Sequence, residues 1–198
     1  MIVLLRHRLA ILAMPKTGST AIEAALAPHA DLVASRPPEL KHMTLRRFER
    51  FLRPLLAAYG AGDAETVCLI REPLDWLGSW YRYRSRPGLA DPARRTDSVD
   101  FDGFVAAYLS PSPPAFAQVG RQSVFLRPGP RGRGIDHLFR YEAMAAFTDF
   151  LADRIGRPLD LPRLNVSPGP RPRISDAMRA RAEAELAEDY RLWRSARG

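Results

Sequence analysis

Lys16, Thr17, Gly18, Ser19 and Thr20 stand between an apolar run over residues 10–14 and a helix-forming segment over 21–26. A strand that feeds a tight turn and then a helix N-terminus can hold a phosphate. The first backbone N–H groups of the helix have no internal partners, and the positive end of its dipole faces the ligand. Lys16 adds a point charge, and Thr17, Ser19 and Thr20 add hydroxyl donors. Gly18 lets the backbone turn and approach the ligand closely. The chain has 30 basic residues, and Lys16 and Lys41 are the only lysines among them. A compact ammonium suits a phosphate oxygen deep in a loop better than a broad guanidinium does.

A second constellation begins where a predicted strand over 65–70 runs into Arg71-Glu72-Pro73. Pro73 suits the first turn of a helix, with Glu72 beside its positive end. Arg71 then sits at the strand's carboxyl tip. Ser79 falls about two turns into the helix, at ~1.5 Å rise per residue. A guanidinium and a hydroxyl so placed can clamp a second phosphate. The spacing does not fit a nucleotide triphosphatase. The P-loop pattern needs its Lys after a second Gly, whereas Lys16 precedes Gly18, and the 65–70 strand ends in Arg rather than a magnesium-binding Asp.

Pro-Lys-Thr-Gly-Ser-Thr at 15–20, followed by Arg71-Glu72-Pro73 and by Ser79 eight residues after the arginine, resembles a sulfotransferase dependent on 3′-phosphoadenosine 5′-phosphosulfate (PAPS). The resemblance implies that Lys16, Thr17, Gly18, Ser19 and Thr20 bind the 5′-phosphosulfate, and that Arg71 and Ser79 bind the 3′-phosphate. Lys41-His42-Met43-Thr44-Leu45 resembles the segment that supplies the catalytic base in carbohydrate-type members, which marks His42. Arg140-Tyr141-Glu142 and Leu164-Asn165-Val166-Ser167-Pro168 are similar to later parts of the bacterial and Golgi-type carbohydrate branch. Residues 129–134 do not match the Arg-Lys-Gly loop that closes over the donor in cytosolic members.

The implied reaction moves a sulfuryl group from PAPS to a hydroxyl, that of a carbohydrate, and releases 3′-phosphoadenosine 5′-phosphate (PAP). It needs a base for the hydroxyl proton, which a His near neutral pKa or a Glu can be. It also needs a cation to offset charge on the bridging oxygen of the leaving phosphate, which is Lys16's part. Lys16, helix N-termini and arginine do the charge work that magnesium does in kinases, so no metal is expected. Glu23, on the first helix, is an alternative base or a solvated carboxylate. Lys41 contacts the leaving group, the acceptor or neither.

At 198 residues, 46% of them hydrophobic, the chain reads as one domain, 1–198. Its formal net charge of +8 and pI of about 10.3 call for an anionic partner. Two rival readings follow: an ATP-dependent small-molecule kinase with a degenerate P-loop, or a basic nucleic-acid-binding module. No recognition-helix, RNP-like or zinc spacing supports the second. A single Cys68 in a predicted buried strand reads as a core thiol, and four scattered His give no zinc signature. Arg6, His7 and Arg8 interrupt the apolar N-terminus, and no apolar run of membrane-spanning length follows. The chain is read as cytoplasmic, without a membrane anchor and with no nucleic-acid partner expected.

Alternation of strands and helices predicts an α/β fold, a parallel sheet flanked by helices in a P-loop-like nucleotide-binding architecture, with ligands at the strands' carboxyl ends. Strands are expected over 2–5, 9–14, 65–70, 123–126 and 137–141. Helices are expected over 19–27, 43–59 with a break at Pro54, 74–83, 101–109 capped by Asp100, 142–155, and 175–193 capped by Ser175. Trp76, Trp80 and Tyr81 read as core residues or as adenine-stacking rings. The arginines at 82, 84, 86, 94 and 95 form a basic stretch, either solvated or a dock for an anionic acceptor or donor.

Overall fold

The computed structural model describes residues 1–130, 132–162 and 170–198. Five strands form one open sheet in the order β3-β1-β2-β4-β5. They are β1 (Ile2–Leu4), β2 (Leu9–Leu12), β3 (Leu32–Val33), β4 (Glu65–Ile70) and β5 (His137–Arg140). The helices in chain order are α1 (Ser19–Leu26), α2 (Pro38–Lys41), α3 (Leu45–Arg47), α4 (Arg53–Ala58), α5 (Pro73–Arg84), α6 (Phe101–Tyr108), α7 (Gln122–Leu126), α8 (Met144–Ile155), α9 (Asp176–Glu185) and α10 (Ala187–Ser195).

The sheet is mixed, which corrects the expected parallel sheet. β2, β4 and β5 run parallel, but β1 is antiparallel to both β2 and β3. The reason is connection length. Only a 3₁₀ turn over Leu5–His7 and Arg8, at φ 49°, separate β1 from β2, and so short a link permits only a hairpin. The parallel pairs are joined by helical crossovers long enough to bring the chain back.

Both faces of the central strands are buried. Along β2, Ala10 and Leu12 enter one core while Leu9 and Ile11 enter another; along β4, Cys68 and Ile70 divide from Val67 and Leu69 in the same way. This two-residue alternation between two apolar layers is why the sequence shows an unbroken apolar run. The first layer is closed by Leu45, Phe48, Leu52 and Leu56, the second by α1 and α8. A third core joins α5 and α6 to α9 and α10 through Leu77, Phe104, Leu186 and Tyr190. Cys68 is fully buried and its thiol is pushed up to about 12 by burial, so it is unreactive.

Three further expectations change. Residues 122–126 form α7, not a strand; the run is too short for periodicity to decide, and its polar groups bond inward. Pro54 does not break its helix. A π turn over Phe48–Leu52 leads directly into α4, re-seating the hydrogen-bond ladder where the proline lacks an N–H. The terminal helix divides at Leu186 into α9 and α10. Asp100 and Ser175 cap α6 and α9 through Gly103 N–H and Met178 N–H, as expected. No helix among the described residues is long and apolar enough to cross a membrane. Asn165 and Ser167 lie outside the described residues.

Candidate functional site

β2 and β4 are adjacent and parallel, with Leu12 beside Cys68. Their carboxyl ends therefore deliver the two sequence motifs to one place. Lys16 has φ 66°, a left-handed conformation unusual for a residue with a Cβ, and Gly18, the N-cap of α1, has φ 76°. A side chain at Gly18 would be strained by that φ, and its Cβ would sit 3.6 Å from the Tyr141 ring. Arg71 Nη1 donates to the Lys16 carbonyl at 3.1 Å, so the two motifs, 55 residues apart, are hydrogen-bonded to each other. Arg71 Nε also donates to Asp75 at 2.7 Å, and its guanidinium lies 4.5 Å from the centre of the Tyr141 ring.

Around this junction opens a cleft of about 1240 Å³. Lys16, Gly18, Ser19, Thr20, His42, Arg71 and Ser79 all line it. Thr17 does not. It is buried, and its hydroxyl donates inward to the Met14 carbonyl at 2.9 Å. Among the described residues nine cationic side chains line the cleft, and no aspartate or glutamate does.

Lys16 sits among aromatic rings. Among the described residues no carboxylate pairs with it; its ammonium lies 4.2 Å from the centre of the Tyr83 ring and 5.4 Å from that of Trp80. Its pKa is lowered to about 8, first by burial and then by the charges of Arg86, Arg71 and Arg82. An anion in the cleft would relieve both effects.

His42 follows α2, so that helix and the β2 end hold it together. Its Nδ1 is 2.7 Å from the Ala13 carbonyl. A carbonyl can only accept, so Nδ1 carries the proton and Nε2 of the neutral ring keeps a lone pair. Burial, as the largest influence, holds the His42 pKa below its ordinary value and so favours this neutral form. Glu23 is occupied otherwise: it accepts from Ser35 at 2.6 Å and pairs with Lys41 at 3.0 Å. That pair also engages Lys41.

The arginine stretch divides. Arg84 is buried and bonds the carbonyls of Ala115 and Gln118 at 2.7 and 2.8 Å. Arg95 pairs with Asp97, and Arg94 with Asp91. Arg82, Arg84, Arg86 and Arg94 line the cleft; Arg95 does not. Trp76 belongs to the third core, while Tyr81 and Trp80 pack against it and Trp80 also reaches the cleft.

Sequence reasoning missed several supports. Buried Gln122 accepts from Arg71 N–H at 3.0 Å and donates to the Arg71 carbonyl at 2.8 Å, standing in for a missing strand neighbour at the tip of β4. Glu72 caps α5 at Asp75 N–H and takes the Tyr190 hydroxyl at 2.6 Å. Glu142 accepts from Glu72 N–H and from the Trp193 indole. Arg171 reaches the cleft because its neighbour Pro172 passes over Gly78, where an added Cβ would meet Pro172 at 3.3 Å. Apart from the Glu72 cap, which lies next to its helix, no local sequence signal marks these contacts, which span 51 to 118 residues along the chain.

Comparison with known proteins gave no matching family model, no matching curated protein and no matching solved structure.

Proposed function

We propose that this chain is a PAPS-dependent sulfotransferase of the carbohydrate-type, bacterial branch, transferring a sulfuryl group to a saccharide hydroxyl. On this reading the unit from β2 through α1 is a P-loop-like phosphate site. The observation that carries the proposal is the junction of Lys16 and Arg71, at neighbouring strand ends, in a cleft whose described lining includes nine cations and no carboxylate. A donor with anionic groups at both its 5′ and 3′ positions suits two cationic centres joined at one backbone carbonyl.

The roles follow from the chemistry. Lys16 and the N–H groups at the start of α1 hold the phosphosulfate, and Arg71 and Ser79 hold the 3′-phosphate. His42 Nε2 accepts the proton of the attacking hydroxyl as its oxygen bonds to sulfur. The bond from sulfur to the bridging oxygen breaks, and Lys16 stabilises the charge that oxygen gains. The Ala13 carbonyl fixes the tautomer that leaves Nε2 free for the proton.

A transfer assay with radiolabelled PAPS and a saccharide acceptor tests the reading in the wild type and in Lys16→Ala and His42→Ala. Both variants should lose at least about a hundredfold in turnover, and His42→Ala should keep its affinity for PAP. Label transfer undiminished in Lys16→Ala would refute the loop assignment.

A further inference from the structure

We infer that the outer face of the helical run over residues 45–59 docks on an anionic phospholipid surface. The inference is independent of the sulfotransferase reading, and none of the side chains it uses lines the cleft. The run comprises α3, the π turn and α4, and its inner side closes the first core with Leu45, Phe48, Leu52 and Leu56. Its outer side shows apolar surface that a folded domain ordinarily hides. Phe51, Leu55 and Tyr59 are 58%, 48% and 77% exposed, and among the described residues seven large apolar side chains are exposed in all. Three of the seven therefore fall within one short stretch, each four residues from the next, about one helical turn.

Cations flank this apolar ridge. Arg46, Arg47 and Arg50 are exposed on the same run, and among the described residues none of them pairs with a carboxylate. Glu49 is the only carboxylate in 45–60, and Arg53 holds it with hydrogen bonds of 2.7 and 2.8 Å. The Arg50 guanidinium lies 5.0 Å from the centre of the Phe51 ring, so a cation and an apolar ring are presented together. Gly129 and Gly132 approach this end of the run, where added Cβ atoms would lie 3.8 Å from Arg46 and 3.6 Å from Glu49, and the exposed Arg133 follows directly.

Charge decides which occupant fits. A second copy docked about a two-fold axis would bring this face against itself, gathering the arginines of both copies in an interface whose own carboxylate is already held by Arg53. A bilayer of anionic lipid offers phosphates to the arginines and an apolar layer to Phe51 and Leu55 at the same time. Tyr59 matches the boundary between the two, with an apolar ring and a polar hydroxyl. Contact of this kind lies in the plane of the interface and requires no spanning helix.

The test is co-sedimentation of the full chain with vesicles at low salt. Phosphatidylcholine vesicles containing about 30% phosphatidylglycerol should bind it at least about ten times more tightly than phosphatidylcholine alone. Arg46→Ala, Arg47→Ala and Arg50→Ala combined should weaken that binding at least about tenfold, since each surface cation contributes roughly fivefold. Phe51→Ser with Tyr59→Ser should weaken it several-fold, and both variants should keep the wild-type melting temperature because these side chains are exposed. Leu55→Cys carrying an environment-sensitive dye gives a second readout, because Cys68 is buried and unreactive. Its emission should shift to the blue on the anionic vesicles and stay unchanged on phosphatidylcholine. Equal binding of the two vesicle types, no binding, or a dye that does not respond overturns the inference. Loss of binding in Lys16→Ala with Arg86→Ala, while the triple arginine variant binds as the wild type does, would place the headgroup in the cleft and overturn it as well. So would a concentration-dependent dimer that Phe51→Ser with Tyr59→Ser abolishes, without vesicle binding, which would give the face to a second copy.

Discussion

Lys16 holds a backbone conformation that an ordinary side chain avoids, with φ 66°. The strain is of order 1 kcal/mol and falls at a residue whose charge the proposed chemistry requires. Lys16→Gly should therefore leave stability unchanged or raise it by up to about 1 kcal/mol, measured by denaturant unfolding, while turnover collapses. A large loss of stability would mean that the ammonium's contacts with Tyr83 and Trp80 matter more to the fold than to a ligand. His42 and Lys16 together fix the pH dependence. His42 must be neutral to act, and its pKa lies below the ordinary imidazole value of about 6.5, so kcat/KM should fall with acidification only below that value. Lys16 must be charged, so kcat/KM should fall again as pH rises through about 8. Bound donor favours the ammonium, so the alkaline limb of kcat should lie higher than that of kcat/KM. An alkaline limb at the same pH in both profiles would take Lys16 out of contact with the donor.

The tip of β4 depends on an element that local pattern did not disclose. Gln122 satisfies both backbone groups of Arg71 from inside α7. Gln122→Ala leaves a buried N–H and C=O without partners, a loss of about 3 kcal/mol. Urea unfolding should show that loss with an unchanged m-value, and PAP should bind more weakly because Arg71 is no longer held. What was legible in the sequence was local. The 65–70 strand is an uninterrupted apolar run, the turn at 15–20 carries its donors in consecutive positions, and the caps at Asp100 and Ser175 lie next to the helices they begin. The hairpin between β1 and β2 was also legible in principle, since three or four residues cannot make a crossover. Gln122, Glu142 and Arg171 were not, because their partners lie far away in sequence and a lone polar side chain does not announce which backbone it will meet. Thr17 shows the converse, as a hydroxyl in the right motif that turns inward to Met14.

At the scale of the molecule, much of the excess positive charge gathers in the cleft, whose described lining holds cations and no carboxylate. Filling it with an anion should stabilise the whole fold. At a PAP concentration a hundred times its Kd, linkage gives about 2.7 kcal/mol, which for a domain of this size is a rise in Tm of roughly 5–10 °C. No rise in Tm at saturating PAP would place the cation cluster outside the ligand site. The central claim is that the Lys16 and Arg71 loops form one donor site for a nucleotide with two anionic ends, and a calorimetric titration without magnesium tests it most directly. PAP should bind far more tightly than ADP or AMP, and Arg71→Ala should remove that preference. Equal affinity for PAP and ADP, or a preference for PAP that survives Arg71→Ala, would contradict it.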